Sequence, residues 1–380
     1  MKPSNHISAR LESLDILRGF DLFCLVGLEE VMHSMKHAVN APWFDKFMWA
    51  FTHAEWEGFS TWDLVMPLFM FMTGITIPFA LARYKDGRQR GKAYSRIARR
   101  VVVLWLFGMM CQGNLLGLDP DRIYVYSNTL QAIAAGYLIA AILYLNTGIR
   151  TQLAAAFGLL AIYWCGMAFI RCGNYGGGVY TPDGNFAEWV DRVCLGRFRD
   201  GAGMSDGMVF FAPYYHYTWI WSTLTFGATT LSGMFAGHIL KARSCSPYRK
   251  CNMLMLTGAA LVVVGWIWGI WHPVVKRLWT GSMVLVSSGY CWLLMGTFYY
   301  LIDYKGYRKH TEWLKVYGMN SIVAYMLASC VRFSCIGRSL FYGLEQFLGG
   351  YYSVLITASN AVLLYAILWL MYKNKIFLKV

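Results

Sequence analysis

Apolar runs of about 20 residues recur along the whole chain, separated mainly by short polar or basic stretches. A run of that length matches the hydrocarbon thickness of a bilayer when it is helical. Repetition of such runs leaves few folds open. Lipid cannot satisfy backbone N–H and C=O groups, and a helix satisfies its own. The composition agrees, with 57% hydrophobic and 14% charged residues, against about 25% charged in a soluble domain. A soluble multidomain chain is excluded because no long polar segment could coat it. The expected fold is all-α: a polytopic membrane helix bundle forming a single domain over residues 1–380.

About ten transmembrane helices are expected, near 14–34, 62–82, 98–117, 128–146, 151–170, 218–240, 252–271, 280–302, 314–334 and 351–372. Arg and Lys set their orientation. The stretch Arg83 to Lys92, continued by Arg96, Arg99 and Arg100, is the strongest cytoplasmic marker, and Lys241–Lys250, Asp303–Lys315 and the tail from Lys373 are also basic. Alternation from these places both termini in the cytoplasm. It leaves two long extracytoplasmic segments, about 34–61 and 171–217. The second is rich in Gly, Asp and aromatics, which suits either a polar acceptor such as a sugar or a lid over helix ends.

The net charge of +14 does not imply nucleic acid, because the basic residues sit mainly in short loops between apolar runs. The ten cysteines contain no CxxC pair and no Cys/His metal spacing, so no metal is expected. Cys172 and Cys194 flank the longest polar loop and could form a disulfide in an oxidising compartment. The first apolar run follows a polar start and precedes no small-residue cleavage site, and so reads as a retained helix.

Chemistry concentrates in Thr52-His53-Ala54-Glu55-Trp56-Glu57-Gly58-Phe59-Ser60-Thr61-Trp62-Asp63. Ionisable groups at a membrane boundary are costly unless paired or used. His53 could remove a proton from an attacking amine or hydroxyl. Asp63 could orient its imidazole. The plainer alternative is an interfacial histidine bonded to a backbone carbonyl. Glu29 and Glu30 stand four and three residues before His33, on one helix face, as a second polar wall or simply a wet helix end. Asp15 and Arg18 share a face of the first helix. That pair could lock helices, or Arg18 could meet a phosphate. Gln131, Asn320 and Ser321 are amides and a hydroxyl within apolar runs, suited to helix–helix bonds or to a ligand.

Taken together, these residues resemble the transmembrane acetyltransferases related to heparan-α-glucosaminide N-acetyltransferase, including their short bacterial relatives. The resemblance rests on Arg10 to Gly19, His53-Ala54-Glu55-Trp56-Glu57-Gly58, Asp63-Leu64-Val65-Met66-Pro67, Leu130-Gln131, Asp191-Arg192 with Leu195-Gly196, Gly318-Met319-Asn320-Ser321-Ile322 and the ending Lys375 to Val380. It implies a cytoplasmic acetyl-CoA cosubstrate and an extracytoplasmic acceptor amine or hydroxyl on an amino-sugar-like glycan. His53 falls on the family's active-site histidine. The expected contacts are Glu29, Trp56 and Glu57 for the acceptor, and Arg18, Gln131, Asn320 and Ser321 for acetyl-CoA. The lysosomal members carry an extra N-terminal luminal region, so the resemblance favours a bacterial inner-membrane protein, with homodimer formation left open. Glu29, Glu57 and Ala132 depart from the family's frequent Asn, Asn and Arg. The rival readings are a transporter for a sugar or organic acid and an assembly partner of an envelope glycan machine.

Overall fold

The computed structural model describes residues 11–85, 87, 89–205, 207–213 and 217–378. Of the segments named above, Met1–Arg10, Asp86, Arg88, Asp206, Tyr214–His216, Lys379 and Val380 lie outside the described residues. Among the described residues the chain is a helical bundle with two small antiparallel hairpins, Arg171–Cys172 with Tyr175–Gly176 and Ala202–Ser205 with Met208–Phe211. Both hairpins fall in the long 171–217 segment.

Among the described residues, six helices are long and apolar enough to cross a membrane: Thr61–Ala80, Thr129–Asn146, Ile149–Phe169, Pro247–Trp268, Gly281–Tyr304 and Tyr351–Lys373. The other four expected spans are helical without meeting that standard. The first is a helix from Glu12 that passes through a π-turn at Cys24–Leu28 and continues to Val39, carrying Asp15, Arg18, Asp21, Glu29 and Glu30. The third begins within the basic stretch, as Arg90–Cys111. The sixth, Thr223–Lys241, is rich in Gly, Ser and Thr. The ninth breaks at Asn320 into Glu312–Met319 and Ser321–Cys330.

Glycines set the closest helix pairs. The Val65–Ala80 helix packs against Thr223–Lys241. A Cβ on Gly74 would stand 2.0 Å from the Thr230 carbonyl oxygen, and one on Gly233 2.0 Å from that of Phe71. Backbones meet here because neither helix has a side chain in the way, the usual device where lipid gives no hydrophobic drive for association. Gly19 and Gly318 join the first helix to Glu312–Met319 in the same manner.

The bundle has two ends. One holds Arg83, Lys85 and the start of Arg90–Cys111. The other holds His53, the end of that helix and the 171–217 segment. Within this segment, Asn185 caps the helix Phe186–Leu195. Glu188 pairs with Arg192 at 2.7 Å and with the buried Arg199. Asp191 accepts the backbone N–H groups of Trp219 and Ile220 at 2.8 and 2.9 Å. Its burial pushes its carboxyl up to about 7, against the pull of those two N–H groups and Arg199. Cys172 and Cys194 are both free thiols, so the disulfide considered from sequence is not formed.

Candidate functional site

Ser60 and Asp63 form a capping box at the start of the Thr61–Ala80 span. Asp63 Oδ2 accepts from Ser60 N at 2.9 Å, Ser60 Oγ at 3.1 Å and Ala54 N at 3.2 Å. The carboxylate is therefore fixed before it meets the imidazole. Its other oxygen, Oδ1, lies 2.9 Å from His53 Nδ1. Asp63 is fully buried, whereas the His53 side chain is 41% exposed. A buried carboxylate holding one nitrogen of a solvent-facing imidazole leaves the other nitrogen for a reacting group.

A loop remote in sequence completes the arrangement. Gly58 N donates to Val274 O at 2.8 Å, and Glu57 bridges Val275, so the His53 segment lies along residues 274–276. This brings Lys276 Nζ to 3.0 Å from His53 Nδ1, 3.4 Å from His53 Nε2 and 3.4 Å from Asp63 Oδ1. Lys276 is 8% exposed. Burial pulls its ammonium below the ordinary lysine range, and Asp63 and then Glu29 oppose that pull. Thr280 holds the loop, with its hydroxyl donating to Pro273 O and accepting from Val275 N.

Behind this loop, His272 Nε2 accepts the Gly281 N–H at 2.9 Å, and its Nδ1 lies 2.9 Å from the Tyr180 hydroxyl. Nδ1 therefore carries the proton of a neutral ring. Burial lowers this histidine to about 3. Trp56 Nε1 donates to Tyr180 O at 2.9 Å. Tyr180 thus ties the His53 segment, the 272–280 loop and the long 171–217 segment together.

Two cavities reach into the bundle. One, about 320 Å³, runs between Arg18, Arg96 and Arg100 at the basic end and Tyr325 deeper in, past Thr73, Thr76 and Ser321. Arg100 stacks over Tyr137 at 4.4 Å, and its buried Nε has no hydrogen-bond partner among the described residues. The other cavity, about 1170 Å³, opens at the His53 end and is lined by Glu29, Glu30, His33, Gln112, Arg332 and Tyr325, among others. Tyr325 belongs to both. Asn128 Nδ2 donates to its hydroxyl at 3.0 Å and to Gln112 Oε1 at 2.7 Å, fixing the partition between them.

The residues singled out from sequence separate into groups. His53 and Asp63 are joined directly. Glu29 is half-buried, lines the larger cavity and is close enough to Lys276 to bias its charge. Trp56 is occupied with Tyr180, and Glu57 is exposed on the strand-like bridge to Val275. Arg18 and Ser321 line the smaller cavity, where Arg18 also pairs with Asp15 at 3.6 Å. Gln131 Oε1 accepts from Ser127 N and Asn128 N while its Nε2 donates to Val125 O, a capping box that accounts for the amide locally. Asn320 donates to Ile376 O and accepts from Leu378 N, so it holds the C-terminal segment.

Sequence reasoning missed Lys276, Arg96, Arg100 and Tyr325. Lys276 carried one signal: it is a lysine in a short loop on the side that the positive-inside pattern leaves poor in lysine.

Comparison with known proteins agrees with the resemblance seen in the sequence. Residues 10–144 match a family model described as a domain of unknown function, DUF5009. The chain is 25% identical over 362 residues to human heparan-alpha-glucosaminide N-acetyltransferase, covering 83% of this chain and 52% of the relative. It is 24% identical over 324 residues to the mouse protein of the same name, covering 73% of this chain and 49% of the relative. The chain thus spans about half the length of the curated relatives it matches. It is a distant relative of these acetyltransferases.

Proposed function

We propose that this chain is a membrane acetyltransferase that moves an acetyl group from cytoplasmic acetyl-CoA to an extracytoplasmic amine or hydroxyl, with a sugar as the acceptor class. The observation that carries this reading is the His53–Asp63 contact at 2.9 Å, with the carboxylate buried and the ring facing solvent. In this reading the basic end of the bundle faces the cytoplasm, both termini lie there, and the membrane is a bacterial inner membrane.

The chemistry follows from the geometry. In this reading Asp63 accepts from Nδ1–H, and Nε2 carries the lone pair. Nε2 takes the proton of the acceptor as its nitrogen or oxygen attacks the thioester carbonyl carbon. The C–S bond then breaks, and the proton passes to the departing sulfur. The smaller cavity suits the nucleotide end of acetyl-CoA. Arg96, Arg100 and Arg18 offer guanidinium groups to phosphates there, and the unpartnered Arg100 Nε is a donor ready for one. Glu29 and Glu30 give the larger cavity an acidic wall, which supports an acceptor bearing an amine. The resemblance to the human and mouse acetyltransferases supports the same reaction class.

The test uses purified protein with radiolabelled acetyl-CoA and glucosamine. His53→Ala is expected to abolish label transfer while leaving acetyl-CoA binding intact. Transfer at the wild-type rate by that variant would refute His53 as the base. Uptake of a sugar into vesicles without acetyl-CoA would point to transport instead.

A further inference from the structure

We propose that Cys111 and Cys330 are a modification site: they form a reversible disulfide that locks the wall between the two cavities. The consequence for transfer rests on the acetyltransferase reading, and the crosslink itself does not.

Two helices end at these residues, Arg90–Cys111 and Ser321–Cys330, and they pack against each other. Cys111 Sγ lies 3.3 Å from Met326 Sδ. Cys330 Sγ lies 4.0 Å from the carbonyl oxygen of Met110. Met326 and Cys330 are four residues apart on one helix, so a single face presents both sulfurs to the end of the other helix. The Cys330 thiol is itself a side-chain partner of Cys111. Both cysteines are free and half-buried.

The pair is joined to the partition. Ser329 hydrogen-bonds with both Cys111 and Tyr325. Gln112, next to Cys111, accepts from Asn128, and Asn128 also donates to Tyr325. Gln112, Ser329 and Val331 line the larger cavity, which gives a reagent from that side a path to the thiols. While the thiols are reduced, soft sulfur contacts hold the two helix ends, and these can slide or part. A disulfide fixes the two Cα atoms within about 7 Å of each other. The helix ends then move only together, with Gln112, Asn128 and Tyr325 held between them. In the acetyltransferase reading the acetyl group travels from the smaller cavity past Tyr325 toward His53, and a locked wall opposes that passage.

The oxidant is another disulfide, reaching the pair from the larger cavity. One cysteine thiolate attacks a sulfur of that disulfide, which forms a mixed disulfide and releases one thiol. The second cysteine thiolate attacks the protein sulfur of the mixed disulfide and releases the other thiol. The two cysteines lose two electrons, their two protons go to the departing sulfurs, and the external disulfide becomes two thiols. Dithiothreitol runs the same steps backwards.

The experiment treats the full chain in nanodiscs with oxidised glutathione and then with dithiothreitol. Mass spectrometry of the unreduced digest is expected to give a Cys111–Cys330 peptide after the first reagent and none after the second. Hydrogen exchange of segments 109–113 and 325–331 is expected to slow on oxidation and recover on reduction. kcat for acetyl transfer to glucosamine is expected to fall about tenfold, a common size for coupling between sites, and to return with dithiothreitol. Cys111→Ser and Cys330→Ser are expected to match reduced wild type and to ignore the oxidant, which excludes the other cysteines as the cause. Absence of the crosslinked peptide at every ratio of oxidised to reduced glutathione overturns the inference. A crosslink that leaves exchange in both segments unchanged overturns it as well, and so does an equal response from Cys330→Ser. Slowed exchange with unaltered kcat overturns the consequence for transfer. If reduced wild type transfers no acetyl group, the acetyltransferase reading fails, while the peptide and the exchange rates still decide whether the lock exists.

Discussion

His53 and Asp63 are ten residues apart in the chain and 2.9 Å apart through Nδ1 and Oδ1. The helix start between them creates that closeness. Asp63 caps its own helix with Oδ2 and has only Oδ1 left to offer the imidazole. The histidine contact and the helix cap thus share one carboxylate.

Asp63→Asn separates the two roles poorly, and that is informative. The amide presents one acceptor where the carboxylate presents two, and its NH₂ faces either His53 or the Ser60 and Ala54 donors. A loss in kcat of about 10⁴ is expected from the wrong tautomer. A lowered unfolding temperature is expected in the same protein from the weakened cap, worth about 1 kcal/mol. Kinetics and thermal unfolding on one preparation check both.

Arg100 gives a binding prediction. Arg100→Ala should raise KM for acetyl-CoA about tenfold, the worth of one charge-assisted contact, with kcat nearly unchanged. CoA binding by the wild type should weaken with added salt more steeply than binding by the variant. Isothermal titration at two ionic strengths measures this.

His272 and Asp191 make opposing contributions to stability with pH. His272 is depressed to about 3 when folded. Between that value and the ordinary histidine range near 6.5 the unfolded chain binds the extra proton. Its stabilising share is therefore complete above about 6.5 and is lost as pH falls toward 3. Asp191 is raised to about 7 when folded, so there the folded chain binds the extra proton. Its share is complete below about 3.9 and is lost as pH rises toward 7. Each acts at up to about 1.4 kcal/mol per pH unit, and over pH 4 to 6.5 they largely cancel. His272→Gln should uncover a stability that falls as pH rises, and Asp191→Asn the reverse. Unfolding temperatures at three pH values test the pair.

Gly74 and Gly233 mark positions where the bundle has no room for a side chain. A Cβ at either would stand 2.0 Å from a backbone carbonyl oxygen, which cannot swing aside like a side chain. Gly74→Val and Gly233→Val should each cost at least about 1–3 kcal/mol by forcing the helices apart. Gly91→Val, which meets nothing within 4 Å, is the control. Size-exclusion profiles and melting temperatures in detergent distinguish them.

The helices were legible because bilayer-length apolar runs leave a signal in one dimension. His53 and Asp63 were legible because the whole capping turn is contiguous. Lys276 was not, because 223 residues separate it from His53 and only the Glu57–Val275 bridge unites them. Gln131 shows a local pattern competing with a functional one: Asn128 three residues earlier announces a capping box, which explains a buried amide without a ligand. Asn320 bonds to residues 56 and 58 positions away, a partnership no local pattern encodes.

Tyr325, the partition shared by both cavities, has an electrical consequence. Water-filled hollows approaching from two sides carry each bulk potential inward, so the voltage across a bilayer falls mostly over what lies between them. Here Tyr325, held by its Asn128 bond, lines both hollows. A unit charge displaced across the whole of that voltage changes energy by about 2.3 kcal/mol per 100 mV. Any step that moves a proton or an anion past Tyr325 would therefore run at a rate set partly by the energised state of the membrane, although no ion need cross.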